Sequence, residues 1–298
     1  MNGCFINLQR SSARREAMQA QLQALGLHGV TRLAAVDAAD LHGAQAPHTV
    51  HGSRISAGEH ACFLSHLAAL EQGLPGSFHL VLEDDALLSP ALPQLLRQAE
   101  ALARLEAFDL VFLECMPYTS APALLPLWRS LRQHLPPAAA GAPREALAGI
   151  EILEAKGLYN WGAVAYLATP RGLRSLPGLL RQALAAGPAQ ALDLTLSTLI
   201  EQGRLRAAVL APFLATPRQG ELGHSTITDR DRASENEVLG HALRRLFFAG
   251  PVDGLEAEVA PYRHAPLTDD PQLRLLADLM AQLFVITARQ GREGAPRD

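Results

Sequence analysis

The sequence predicts an α/β fold, a Rossmann-type mostly parallel sheet with helices on both faces. Two observations carry that expectation. Short apolar runs alternate with amphipathic stretches from residue 4 to residue 211, and the third run ends in consecutive acids, Glu83-Asp84-Asp85. Strands alternating with helices favour parallel sheets covered on both faces, and ligands bind beyond the carboxyl ends of such strands. With 298 residues, 48% apolar and 19% charged, the chain has the balance of a globular protein rather than a disordered one. Its 26 basic and 30 acidic residues give a net charge of -4, which excludes a general attraction to nucleic acid.

Each element follows from local pattern. Cys4-Phe5-Ile6-Asn7-Leu8 is an apolar run that stops at a polar Gln-Arg-Ser-Ser stretch, as a buried strand entering a loop does. Ser11 or Ser12 can cap the helix that follows; Met18, Leu22 and Leu25 recur at helical spacing, and Gly26 suits its C-terminus. Residues 30–36 read as a second strand ending at Asp37, and residues 38–52 as loop. Ser56-Ala57-Gly58-Glu59 is a capping box, opening a helix that runs to about Gly73. Strands are expected at 78–82 and 108–113, with a helical stretch at 91–106 between them. From 117 to 149 several prolines interrupt the periodicity, which marks an irregular insertion, helical in part. A strand at 163–168, helices at 170–185 and 192–202 and a last strand at 206–211 complete a domain over residues 1–229. Residues 230–298 read as a helical C-terminal extension with amphipathic stretches near 235–248 and 272–288.

Cys4, Cys62 and Cys115 are odd in number and widely spaced, which fits a reducing compartment. The N-terminal apolar run is too short for a secretory signal, and no apolar stretch approaches the ~18 to 20 residues that span a bilayer. A cytoplasmic protein is expected.

The acids after the third strand are the strongest chemical signal. A strand alternates its side chains between two faces, so Glu83 and Asp85 are expected to project together and Asp84 to point the other way. Two carboxylates on one face can share a hard cation. Nucleotide-sugar transferases place a D-x-D-type motif here, where a divalent ion neutralises the diphosphate leaving group. A solvated acidic turn is the bland alternative, and a phosphatase or kinase would use such acids as well.

Further motifs stand in a fixed order: Ile6-Asn7-Leu8 with Arg10 and Arg14-Arg15, then Ala35-Val36-Asp37, then Ser56 to His66, then Leu82-Glu83-Asp84-Asp85. Phe108-Asp109-Leu110-Val111, Gly162 to Leu167, Leu192-Asp193 and His224-Ser225-Thr226-Ile227 follow. This ordered set resembles glycosyltransferase family 25, which includes lipooligosaccharide and collagen galactosyltransferases. Ala38 stands where the family usually has glycine, and His60-Ala61 where it usually has Ile-Gly.

The resemblance implies a GT-A-like sheet, a UDP-sugar donor and Mn2+ or Mg2+. It makes Asp85 the first metal ligand, with Asp84 or Glu83 completing the site and His224 the late-loop candidate. Asn7, Arg10 and Arg14 would meet uracil or phosphate at the first strand's end; the alternative is a helix N-terminus with solvated arginines. Asp37 is a nucleoside contact or a turn aspartate, and Ser65 and His66 are expected to line the sugar-donor pocket. Glu59 is accounted for by the capping box. Cys62 and His66 lack further ligands at zinc-finger spacing, so His66 is expected to face the core or support the site. Asp193 is the candidate base for an inverting transfer, balanced against a helix-dipole acid. Trp161 would stack on a sugar or sit in the core.

In the extension, Leu239, Leu243, Leu246 and Phe247 form an apolar stripe beside Arg244 and Arg245. Packing on the domain or on a second copy in a homodimer is the leading expectation; contact with an anionic inner membrane, suited to a lipid-linked acceptor, is the other. The function expected is a metal-dependent transfer of a hexose, galactose first, from a UDP-sugar to a glycan acceptor such as lipooligosaccharide. The alternatives are a non-catalytic glycan- or protein-binding module on the same fold and a metal-dependent phosphoryl-transfer enzyme.

Overall fold

The computed structural model describes residues 2–41, 55–134, 150–187, 189–218, 243–245 and 247–250. In chain order its elements are β1 (Asn2–Asn7), α1 (Ser12–Ala24), β2 (Val30–Ala34), a 3-10 turn (Ala38–Leu41), α2 (Ala57–Glu71), β3 (His79–Glu83) and β4 (Ala86–Leu88). Then come α3 (Leu92–Leu95), α4 (Ala99–Leu105), β5 (Leu110–Phe112), β6 (Met116–Pro117), α5 (Ala121–His134), β7 (Glu151–Glu154) and β8 (Tyr159–Trp161). The last are β9 (Ala165–Ala168), α6 (Pro170–Ala185), α7 (Leu192–Glu201), β10 (Ala207–Ala211) and β11 (Ala215–Pro217).

Seven strands form the central sheet in the order β2-β1-β3-β9-β5-β10-β7. The β2, β1 and β3 strands are mutually parallel, as are β5 and β10, while β9 lies antiparallel between β3 and β5 and β7 closes the edge antiparallel to β10. The expected mostly parallel α/β sheet is therefore present, with two reversed strands that periodicity could not orient. Two small ribbons, β4 with β11 and β6 with β8, stand beside it.

The pleat divides the core into two layers. Cys4, Ile6, Val81, Leu110 and Phe112 face one layer, with Phe63 and Leu70 of α2, Leu176 and Leu180 of α6, and Leu196 and Ile200 of α7. Phe5, Leu80, Leu82 and Val111 face the other, with Met18 and Leu22 of α1 and Leu92 and Leu95 of α3. Alternate residues of each strand thus serve opposite layers, the burial pattern of a sheet covered on both faces.

Local chemistry sets the element ends. Gly26 has φ +66 after α1, a left-handed turn that a β-carbon would oppose. The capping box is complete: Ser56 Oγ accepts from Glu59 N at 3.2 Å, and Glu59 carboxylate accepts from Ser56 N at 2.9 Å. The stretch at 91–106 is two short helices rather than one. Within the insertion expected at 117–149 to be helical in part, Ala121–His134 is a helix despite Pro126. There Ala123, Leu124, Leu127 and Ser130 recur at helical spacing and are buried, and Pro122 sits in the first turn, where a missing N–H costs nothing. Residues 135–149 lie outside the described part.

Leu243 and Phe247 are buried in the domain's core, and Phe213 N donates to Phe247 O at 2.8 Å. Arg244 and Arg245 are buried with them, at 1% and 6% exposure. This corrects the membrane-facing reading of the stripe, because neither guanidinium is presented to a lipid surface. Leu239, Leu246, the stretch at 272–288 and the rest of the extension lie outside the described residues.

Candidate active site

A cleft opens at the carboxyl edge of β1, β2 and β3. Its walls are Ile6, Leu8, Arg10 and Arg14 from β1 and the start of α1, Ala35, Val36 and Ala38 after β2, Gly58, Ala61, Cys62, Ser65 and His66 from α2, and the acids Glu83, Asp84 and Asp85. Residues from four chain segments meet here because parallel strands all deliver their following loops to one edge.

The acids do not alternate as expected. β3 ends at Glu83 and β4 begins at Ala86, so Asp84 and Asp85 occupy a tight turn instead of an extended strand. The turn breaks the two-residue period and brings all three side chains to the same cleft.

Each acid has a different environment. Glu83 Oε1 lies 3.3 Å from His66 Nε2, while His66 Nδ1 lies 3.1 Å from the Tyr166 hydroxyl. Burial pushes the Glu83 carboxyl up, but the His66 contact and the charges of His66, Arg244 and Arg14 outweigh it and hold the group below its usual value. Asp84 accepts from Asn7 Nδ2 at 2.7 Å and from Arg14 Nη1 at 3.0 Å, yet burial leaves its carboxyl above the usual value. Asp85 lies 3.8 Å from Arg14. Burial and the neighbouring Glu83 charge push Asp85 up to about 7, and its Oδ1 is buried with no hydrogen-bond partner among the described residues.

The expectation that Asn7 meets the ligand is corrected. At 1% exposure, its amide is committed within the protein: Nδ2 donates to Asp84 and to Ser11 O, and Oδ1 accepts from Arg32 Nε. It fixes the acidic turn against β2 and the start of α1. Arg10 is half exposed at the cleft mouth and ion-paired with Asp37, whose other oxygen accepts from Ala39 N at 3.1 Å. Ser65 Oγ accepts from Val36 N and donates to Ala61 O, tying α2 to the loop after β2. His66 is buried and stacked on Tyr166 with ring centroids 5.8 Å apart, in keeping with a supporting position.

Asp193 is not among the residues that wall the cleft. It lies in the first turn of α7, where its carboxylate accepts from Leu194 N at 2.9 Å. His224 lies outside the described residues. Trp161, in β8, has the Arg244 guanidinium 5.7 Å from its ring centre.

Two charged residues near the acids, Glu114 and Arg218, were not singled out from the sequence, and Arg244 was read only as part of the C-terminal stripe. Glu114, fully buried, accepts from Arg244 Nε at 2.6 Å, and Gly162 at φ +109 leaves room beside the pair. Burial raises the Glu114 carboxyl above its usual value, against the pull of Arg244. Arg218, after β11, donates its backbone N–H to Asp85 O at 2.8 Å, and its buried Nε has no partner among the described residues. Burial lowers the Arg218 guanidinium from its usual value while the Asp85 charge opposes that shift. The adjacent Glu114-Cys115 and the cluster Arg244-Arg245 were the available signals, but nothing local pairs residues 130 positions apart.

An orphaned carboxylate oxygen in a buried acid cluster is donor chemistry that fits a hard divalent cation. Among the described residues no helix is long and apolar enough to cross a membrane. A comparison with curated proteins gives no match. Residues 1–131 match the family described as Glycosyltransferase family 25 (LPS biosynthesis protein), and that span contains every residue that walls the cleft. Over residues 1–131 the chain is similar to glycosyltransferase family 25, and the cleft at the carboxyl edge of its sheet is the candidate site of glycosyl transfer.

Proposed function

We propose that the protein transfers a hexose, galactose first among them, from a UDP-sugar to a hydroxyl of a glycan acceptor such as lipooligosaccharide. Transfer is assigned as metal-dependent and inverting, on a cytoplasmic domain within residues 1–229 and completed by residues 243–250. The observation that carries the reading is Asp85: a buried carboxylate oxygen without a partner among the described residues, in a turn whose other acids are already engaged.

Asp85 would hold Mn2+ or Mg2+, with Asp84 contributing a lone pair left free by Asn7 and Arg14; His224 is the remaining candidate ligand. The bound ion would neutralise charge developing on the departing diphosphate, more in the transition state than in the ground state. Arg14 holds Asp84 in place, and Arg10 at the mouth is free to exchange Asp37 for a phosphate oxygen, as an exposed ion pair costs little to break. Ser65 sets the loop after β2, where a nucleoside would lie. Asp193 is assigned as the acceptor-side base, accepting the hydroxyl proton as the oxygen attacks the anomeric carbon.

Calorimetric titration of UDP into the protein tests the reading. Binding in Mn2+ that disappears in EDTA is expected; equal heat in both conditions overturns the metal assignment, and no heat in either overturns the nucleotide site.

A further inference from the structure

The cleft carries a second ligand set of different chemistry from the acidic turn. Cys62 and His66 lie four residues apart on α2, so their side chains share one face of the helix. Glu83 reaches them from the end of β3, and the sulfur, imidazole nitrogen and carboxylate oxygen all lie within 4.8 Å of one another. The sequence offered Cys62 and His66 no third ligand, because the third comes from a strand on the far side of a loop.

We propose that Cys62, His66 and Glu83 form a three-ligand site for a thiophilic divalent cation of the Zn2+ type, beside the hard-cation position at Asp85. Ligand softness separates the two positions: thiolate and imidazole select zinc-like ions, whereas a purely carboxylate position suits Mn2+ or Mg2+.

The geometry is close to what such an ion requires. Zn–N and Zn–O bonds of about 2.0–2.2 Å opening at a tetrahedral angle put nitrogen and oxygen about 3.3–3.5 Å apart. His66 Nε2 and Glu83 Oε1 stand at 3.3 Å, long for a charged hydrogen bond but the right length for a tetrahedral edge. On the opposite side of the ring, Nδ1 is 3.1 Å from the Tyr166 hydroxyl. When Nδ1–H donates to that oxygen, Nε2 presents its lone pair toward Glu83, the outer support typical of metal-bound histidines. The ion then sits between the Nε2 lone pair and the ionised Oε1, with no proton to displace there. Cys62 gives up its thiol proton to solvent as it binds, so thiolate and carboxylate together balance the two positive charges. Three protein ligands leave a fourth position open toward the cleft, the pattern of an exchangeable site and not a closed structural one.

The binding proposal is independent of the sugar-donor reading. Its consequence for transfer rests on it: Glu83 borders the acidic turn, so an ion held there would compete with productive loading at Asp85.

Cobalt substitution tests the site in the full-length protein. Co2+ added to the metal-free wild type is expected to give the near-ultraviolet thiolate-to-metal charge-transfer band at one equivalent. The band should vanish in Cys62→Ser and persist in Asp85→Asn. Competition with a chromophoric chelator should show Zn2+ affinity falling in Cys62→Ser by more than the about 10–100-fold that loss of an outer support costs. Circular dichroism checks that each variant is folded, and Cys62→Ala serves as a second variant. A folded wild type without the band, or a band that survives in both Cys62 variants, overturns the proposal. Neither readout requires activity, so a failure of UDP to bind leaves this test intact.

Discussion

Replacing Asp85 with asparagine should stabilise the metal-free protein at pH 8 while abolishing transfer. The wild-type carboxyl ionises at about 7 when folded, against an ordinary value of 3.8, because burial and the Glu83 charge oppose its negative form. Between those values the native state binds the proton more tightly than the unfolded chain does. Stability contributed by this group is therefore present at pH 4 and is lost as the pH rises through about 7. At about 1.4 kcal/mol per pH unit between the two ionisations, the loss is of the order of 4 kcal/mol. The substituted amide cannot ionise, so the advantage of the variant should grow from near zero at pH 4 to about 3–5 kcal/mol at pH 8. Urea denaturation in EDTA at several pH values measures the difference, and comparing the two proteins cancels the contributions of groups that do not interact with Asp85. Saturating Mn2+ should reverse the order at pH 8, since only the wild type retains the ligand. A gap between the two proteins that does not widen with pH would refute the argument that Asp85 is held against its own charge.

Arg244→Met should cost about 3–5 kcal/mol by leaving the Glu114 charge buried and unpaired, and Glu114→Gln in the same chain should recover most of it; urea midpoints decide. Unchanged stability in Arg244→Met would mean that residues 243–250 do not dock in solution. Arg10→Ala should change stability by less than about 1 kcal/mol, because the Arg10–Asp37 pair is exposed, but weaken UDP binding about tenfold by calorimetry. Gly172→Ala should destabilise by about 1–3 kcal/mol or more in thermal melts, since a β-carbon there would lie 2.0 Å from Asp109 O and must displace backbone.

What was legible in the sequence was local. The capping box at Ser56 and Glu59 closes within four residues, and α6 matches its expected bounds because Thr169, Pro170 and the apolar spacing all lie within the helix and its cap. The apolar run of β1 announced a strand, and its carboxyl end announced the cleft. Direction was not legible: β9 has the same buried run as its neighbours, and only its pairing with β3 and β5 reverses it. Nor was the turn at Asp84-Asp85, since alternation is a property of extended chain and the run gave no sign of where extension stops. Asn7 shows the limit for site residues. Its position at a strand end suggested a ligand contact, whereas the fold spends all of its amide on Asp84, Ser11 and Arg32.

Long-range charge explains how the acids tolerate burial. Glu83, Asp84, Asp85 and Glu114 would repel one another strongly if alone in an apolar interior. Arg14 comes from α1, Arg218 follows β11 and Arg244 comes from beyond residue 242, so the compensating charge is gathered from segments that meet only in the finished fold. Two of these three arginines lie outside the span of the family match, which ends at residue 131. The cleft walls therefore belong to the matched part, but the field in which its acids ionise depends on later chain. Compensation is also incomplete among the described residues, where Asp85 Oδ1 and Glu114 Oε1 are both buried without a hydrogen-bond partner. Of the two, only Asp85 Oδ1 lies in the acidic turn that walls the cleft, and a turn that still leaves an oxygen unpaired beside three guanidinium groups is the ground on which a divalent cation is proposed there.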